Sequence, residues 1–111
     1  METENLDHQL AYIEEVKQIL LDQKGIEEYA VFLYGSRARG SHHRRSDIDI
    51  GVLGKQEMDS FLKADLEQKL EDSNVPVFIS LVDFYRVDKA FKQEALKNIQ
   101  IWNCPNDIQL Y

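Results

Sequence analysis

Only one cysteine, Cys104, occurs in the 111 residues, so an internal disulfide is excluded and the fold does not rest on a covalent staple. A lone thiol suits a reducing compartment. No apolar run approaches the ~20 residues that cross a bilayer. The opening stretch METENLDHQL is acidic and polar, unlike a secretory signal. These absences predict a cytoplasmic protein with no membrane contact. Prolines number 2 and glycines 5, and no repeat, low-complexity segment or interdomain linker interrupts the chain. Positive charge is also short: 13 Lys and Arg stand against 20 Asp and Glu, a net charge of −7. General nucleic-acid binders draw most of their affinity from a basic surplus, so a long nucleic acid is not an expected partner.

What remains is ordinary globular material. A hydrophobic content of 43% with 30% charged residues suffices for a packed core, and the length fits one domain over residues 1–111. Leu6, Leu10, Ile13, Val16 and Leu20 recur at helical steps and predict an amphipathic helix to Leu21, closed near Lys24-Gly25. Tyr29–Tyr34 (YAVFLY) reads as a buried strand, and Ile48–Leu53 (IDIGVL) as a second. Met58, Leu62, Leu66 and Leu70 place a helix over about Asp59–Glu71. Val75–Phe84 (VPVFISLVDF) reads as a third strand. Phe91, Ala95 and Ile99 mark a last helix with Asp88 as its N-cap. The ending NCPNDIQLY has no clear period, and residues 104–111 are left as a tail. This order predicts an α/β (α+β) fold: a small mixed sheet with helices mainly on one face.

Against the acidic background, the stretch FLYGSRARGSHHRRSDIDIGVL concentrates Arg37, Arg39, Arg44 and Arg45, a cluster suited to a small anion or an acidic protein. Gly35 ends a strand and lets a phosphate approach the backbone. Ser36 can donate to a phosphate oxygen and cap a short helix over SRAR. Arg37 and Arg39 diverge on that helix, and Arg39 is the one expected to face the anion. Asp47 and Asp49, two apart on a strand, project to one face. Their mutual repulsion is of the kind that a magnesium ion relieves. Taken singly, a Gly-Ser pair is most simply a turn, and an Asp-x-Asp pair a solvated strand edge.

Taken together, Gly35-Ser36, ten intervening residues and Asp47-x-Asp49, each beside a strand, resemble the DNA polymerase beta-like nucleotidyltransferases. The wording GSRARG…SDIDI is most similar to the minimal nucleotidyltransferase (MNT) domains, small antitoxins paired with HEPN-domain toxins. The resemblance runs from the first helix to the last and leaves out NCPNDIQLY. It implies that Gly35, Ser36 and Arg39 hold the triphosphate of ATP and that Asp47 and Asp49 ligate Mg2+. It further implies AMP transfer to a tyrosine of the toxin, with release of pyrophosphate. One position departs from the pattern. The family's third carboxylate comes from the next strand, and Ser80 stands there; Asp83 is three residues on and faces the other way unless a bulge intervenes. A serine hydroxyl is a poor base. Two outcomes therefore stay open: an adenylyltransferase weakened at Ser80, or a binding module that neutralises the toxin by contact alone. His42 and His43 are expected in solvent rather than on a metal, Cys104 as a bystander, and Phe91 and Trp102 in the core or an interface.

Overall fold

The computed structural model describes the backbone of residues 2–111 and the side chains of residues 9–111. Helix α1 (Glu2–Leu21) leads through a 3-10 turn (Ile26–Glu28) into β1 (Ala30–Tyr34). A single helical turn, α2 (Ser36–Arg39), precedes β2 (Ile48–Leu53), and α3 (Ser60–Glu71) precedes β3 (Ile79–Asp83). Then come α4 (Lys89–Ala95) and β4 (Gln100–Asn103). The strands form one sheet in the order β3-β2-β1-β4. The β1–β2 and β1–β4 pairs are antiparallel, whereas β2–β3 is parallel. A parallel pair needs a crossover, and α3 supplies it.

Alternation along the strands divides the interior in two. Val31, Leu33, Ile48, Ile50, Val52 and Leu81 point to one face and meet Val16 and Leu20 of α1 and Leu66 and Leu70 of α3. The two long helices therefore share a face, as expected. Ala30, Phe32, Tyr34 and Leu53 point to the other, where Phe84, Leu96, Ile108 and Leu110 cover them. Phe32, Tyr34, Phe84 and Phe91 form a chain of edge-to-face and tilted ring pairs there, with neighbouring centroids 4.9 to 6.3 Å apart. Gly51 makes this possible, because a Cβ would collide with the Phe32 and Phe84 rings.

The helix ends follow their caps. The Asp59 carboxylate accepts from the Leu62 amide at 2.9 Å, and that of Asp88 accepts from the Phe91 amide at 2.7 Å. Four expectations are corrected. Leu10 keeps the helical spacing yet is 61% exposed, and Leu6 lies outside the described side chains. The third strand spans Ile79–Asp83 only; Pro76, which cannot donate to a ladder, stands in the connection before it. The last helix stops at Ala95, so Ile99 is not on it. The final stretch is not featureless: Gln100–Asn103 is an edge strand, and Ile108 and Leu110 are buried in the second core.

Candidate nucleotide and metal site

The site begins at the C-terminal end of β1. Gly35 has φ 77° and ψ −157°, a region essentially reserved for glycine. A Cβ there would strike the Asp49 carboxylate, with Cγ only 3.2 Å away. Glycine is thus required twice, for its torsions and for the closeness of Asp49. The backbone then turns into α2, with the Ala38 and Arg39 amides donating to the Gly35 carbonyl at 3.1 Å each.

Gly35, not Ser36, is the N-cap of α2, and no side chain caps it. That corrects the capping role expected of Ser36. Its hydroxyl has no protein hydrogen bond among the described residues, which leaves it for a ligand. With one turn of helix, the site draws on its local amides rather than on a long dipole.

The two arginines of α2 part company. Arg37 is 5% exposed and turns away into the following loop. Its Nε and Nη2 donate to the Ser46 carbonyl at 3.1 and 2.8 Å, and Nη1 donates to Gln9 Oε1 at 3.2 Å. Ser46 immediately precedes Asp47, so this guanidinium fixes where the acid pair begins. The Ser46 hydroxyl also accepts from the His43 amide at 3.0 Å. Arg39 is exposed and remains on the side of the acids, where its charge favours the ionised form of Asp49.

Asp47 ends the loop and Asp49 is the second residue of β2. Among the described residues neither carboxylate takes part in a hydrogen bond or ion pair. Burial, and then the charge of Asp47, push the Asp49 carboxyl above its ordinary range; Arg39 and Arg37 oppose this. Tyr34, Asp49's partner in the β1–β2 register, has its phenol pushed up to about 12 by burial and by Asp49. Two adjacent acids without a cation partner fit a hard divalent ion, which takes oxygen ligands and commonly one or two carboxylates.

Ser80 pairs with Asp49 in the parallel β2–β3 register, so it stands next to that carboxylate on the same face. The register runs from Ile48–Ile79 to Val52–Asp83 without a bulge. Asp83 belongs to the opposite face and is already committed. Its Oδ2 accepts from the Met58 amide at 2.8 Å and its Oδ1 from the Tyr85 amide at 3.0 Å. It cannot stand in for a carboxylate at Ser80. Among the described residues no group of three or more His, Cys, Asp or Glu could hold a metal, consistent with two acids and a serine.

A cavity of about 350 Å3 joins the Gly35-Ser36 turn to Asp49, lined by Tyr34, Gly35, Ser36, Arg39 and Asp49 together with Phe91, Glu94 and Ala95; Asp47 does not line it. None of the last three is given a site role by the sequence: Phe91 and Ala95 mark the last helix, with Phe91 expected in the core or an interface, and Glu94 is not singled out. His42 lies partly buried behind the turn. Burial and Arg37 lower its basicity, and its Nδ1 is buried without a partner. Cys104 is exposed, away from the acids.

The polymerase beta nucleotidyltransferase profile matches residues 14–106. The chain belongs to that family. A protein adenylyltransferase MntA of Shewanella oneidensis is 33% identical over 82 residues, covering 73% of this chain and 58% of its own. A probable protein adenylyltransferase MntA of Haemophilus influenzae is 27% identical over 78 residues, covering 70% and 67%. This chain thus spans less than two thirds of the Shewanella relative's length. Among solved structures, a toxin–antitoxin complex with AMP-PNP superposes at TM-score 0.66 with 26% identity, over 84% of this chain and 73% of that one. A Shewanella oneidensis MNT antitoxin with a tri-AMPylated HEPN toxin shares the fold at TM-score 0.60 and 23% identity, over 85% and 71%. Among the described residues no helix is long and apolar enough to cross a membrane.

Proposed function

We propose that this chain is a cytoplasmic, nucleotidyltransferase-type antitoxin that binds ATP with Mg2+ and transfers AMP, slowly, to a tyrosine of a HEPN-domain toxin. One observation carries the reading. The Gly35-Ser36 turn and the partnerless Asp49 meet in one cavity, and a neutral Ser80 stands in register beside that acid.

Each residue has a part. Gly35 makes the turn that presents the triphosphate site and lets Asp49 close against it, the unpaired Ser36 hydroxyl donates to a phosphate oxygen, and Arg39 pairs with the phosphate charge. Asp47 and Asp49 would hold the cation. Magnesium there would neutralise phosphate charge and align the reacting oxygens. In the reaction the tyrosine oxygen bonds to the α-phosphorus of ATP, the bond to pyrophosphate breaks, and the phenolic proton passes to solvent. A carboxylate at position 80 would take that proton and help to hold a second cation. The Ser80 hydroxyl donates a hydrogen bond but cannot serve as the base at neutral pH. Binding is therefore retained while transfer is slowed.

Ser80 also supports a second reading, in which the chain neutralises the toxin by contact and uses nucleotide only as a ligand. The relatives named adenylyltransferase favour the first reading. Labelled ATP, Mg2+ and the partner toxin, incubated with the protein, separate the two. Slow labelling of the toxin, abolished by Asp47→Asn, is the expected result. A toxin that is inhibited but unlabelled establishes the second reading, and a toxin neither labelled nor inhibited refutes both.

A further inference from the structure

The strands order the site across one face of the sheet. Gly35, Ser36 and Arg39 follow β1, Asp49 is on β2, and Ser80 is on β3. Attacking and leaving oxygens of a phosphoryl transfer lie roughly in line. Pyrophosphate held at the β1 side therefore leaves the acceptor to approach over β3, the outer strand of the sheet. Immediately before β3 stands Phe78. Its carbonyl accepts from the Ile48 amide at 2.9 Å, the first bond of the Ile48–Ile79 pairing, so Phe78 stands immediately ahead of the ladder, at the end of the sheet where Asp47 precedes β2. Val77, Ile79 and Leu81 belong to the first core and Val82 packs on the second. Alternation therefore turns Phe78 to the face of Ser80 and Asp49. It is 68% exposed.

Phe78 also lines a cavity of about 510 Å3 at the edge of the sheet with Arg44 and Arg45, whose other walls are Gln9 and Tyr12 of α1 and Pro76 and Val77 of the connection before β3. Neither guanidinium is in an ion pair among the described residues. We propose that Phe78, Arg44 and Arg45 form the acceptor-docking surface, and that its occupant is an acidic segment of the partner protein bearing the modified tyrosine. This rests on the functional reading above. The tyrosine ring lies against Phe78, and its acidic neighbours pair with the two arginines. The net charge of −7 favours a short acidic segment over a nucleic acid. A long polyanion is repelled by the rest of the surface, whereas a short segment meets only the basic patch.

Fluorescence anisotropy without nucleotide tests this. The probes are a dye-labelled peptide with a single tyrosine flanked by glutamates, and its counterpart flanked by lysines. The acidic peptide should bind at least about tenfold tighter. Phe78→Ala, and Arg44→Glu with Arg45→Glu, should each weaken it about tenfold, with the Mg–ATP affinity of each variant within about twofold of the parent's. Equal affinity for the two peptides, no binding of the acidic one, or variants that bind like the parent would overturn the proposal. ATP uptake is measured on the same samples. Its absence counts against the functional reading, while the peptide titration alone decides the docking surface.

Discussion

Replacing Ser80 by aspartate puts a third carboxylate beside Asp49, and the cost can be worked from the register. Cα partners on neighbouring strands are about 4.8 Å apart, so two carboxylates on one face lie roughly 5 Å from each other. At that separation, repulsion is about 1 kcal/mol in bulk water and about 3 kcal/mol at an effective dielectric of 20. Asp49 is partly buried, which puts the expectation near 2 kcal/mol. For a chain of this size that lowers Tm by roughly 8 °C in EDTA. Millimolar Mg2+ should restore the loss, because an ion bound only by the folded state stabilises it by mass action. Ser80→Asn is the control, similar in bulk to aspartate without its charge; it should show no magnesium-dependent recovery. Thermal melts of the three proteins with and without Mg2+ give the answer. A Ser80→Asp protein that melts like its parent in EDTA, or that Mg2+ does not rescue, refutes the placement of position 80 beside the acids. The same variant should label the toxin faster, and no increase would mean that the missing carboxylate is not what limits transfer.

Other expectations are more local. Arg37→Met strips two charged hydrogen bonds from the Ser46 carbonyl; at about 1.5–3 kcal/mol for bonds to a charged group, Tm should drop by roughly 10 °C. Arg37→Lys, which keeps the charge but not the fork, should recover only part of that in the same melts. Gly35→Ala forces a Cβ onto Asp49 at a torsion that costs about 1–3 kcal/mol, and calorimetry should find ATP affinity down at least about tenfold. Asp49 has its folded-state pKa raised, first by burial and then by Asp47, so its protonated form favours the fold. That contribution is complete below the ordinary carboxyl range and lost as pH rises through the raised value. Asp49→Asn should therefore raise Tm at neutral pH in EDTA, and the gain should fade on acidification; a gain independent of pH contradicts the assignment.

How far the sequence discloses this molecule depends on which forces leave a periodic trace. The Val16–Leu20 and Leu66–Leu70 rows are legible because each buries one helical face against the first core. The strands Ala30–Tyr34 and Ile48–Leu53 are legible because burial between two cores leaves nearly continuous apolar runs. Leu10 misleads because spacing marks a helical face without saying how far the sheet beneath it extends. The strand Gln100–Asn103 leaves almost no trace: it is four residues at an edge, with two of them exposed. At the site, Gly35 and the Asp47–Asp49 pair are visible as chemistry, and Ser80 becomes notable through a family resemblance. The burial of Arg37 under the 41–46 loop is set by where that loop folds back. Phe91 and Glu94 reach the cavity only because α4 lies across the second face. Tertiary placement of that sort has no signature in local spacing.

The most direct test of the whole account is calorimetric titration of the unmodified protein with ATP, in Mg2+ and again in EDTA. The account predicts saturable uptake of one ATP per chain in Mg2+, lost in EDTA and lost in Asp49→Asn even with Mg2+ present. Uptake that ignores the cation, or that survives removal of the Asp49 charge, would contradict the claim that the Gly35-Ser36 turn and the paired aspartates form a single nucleotide site.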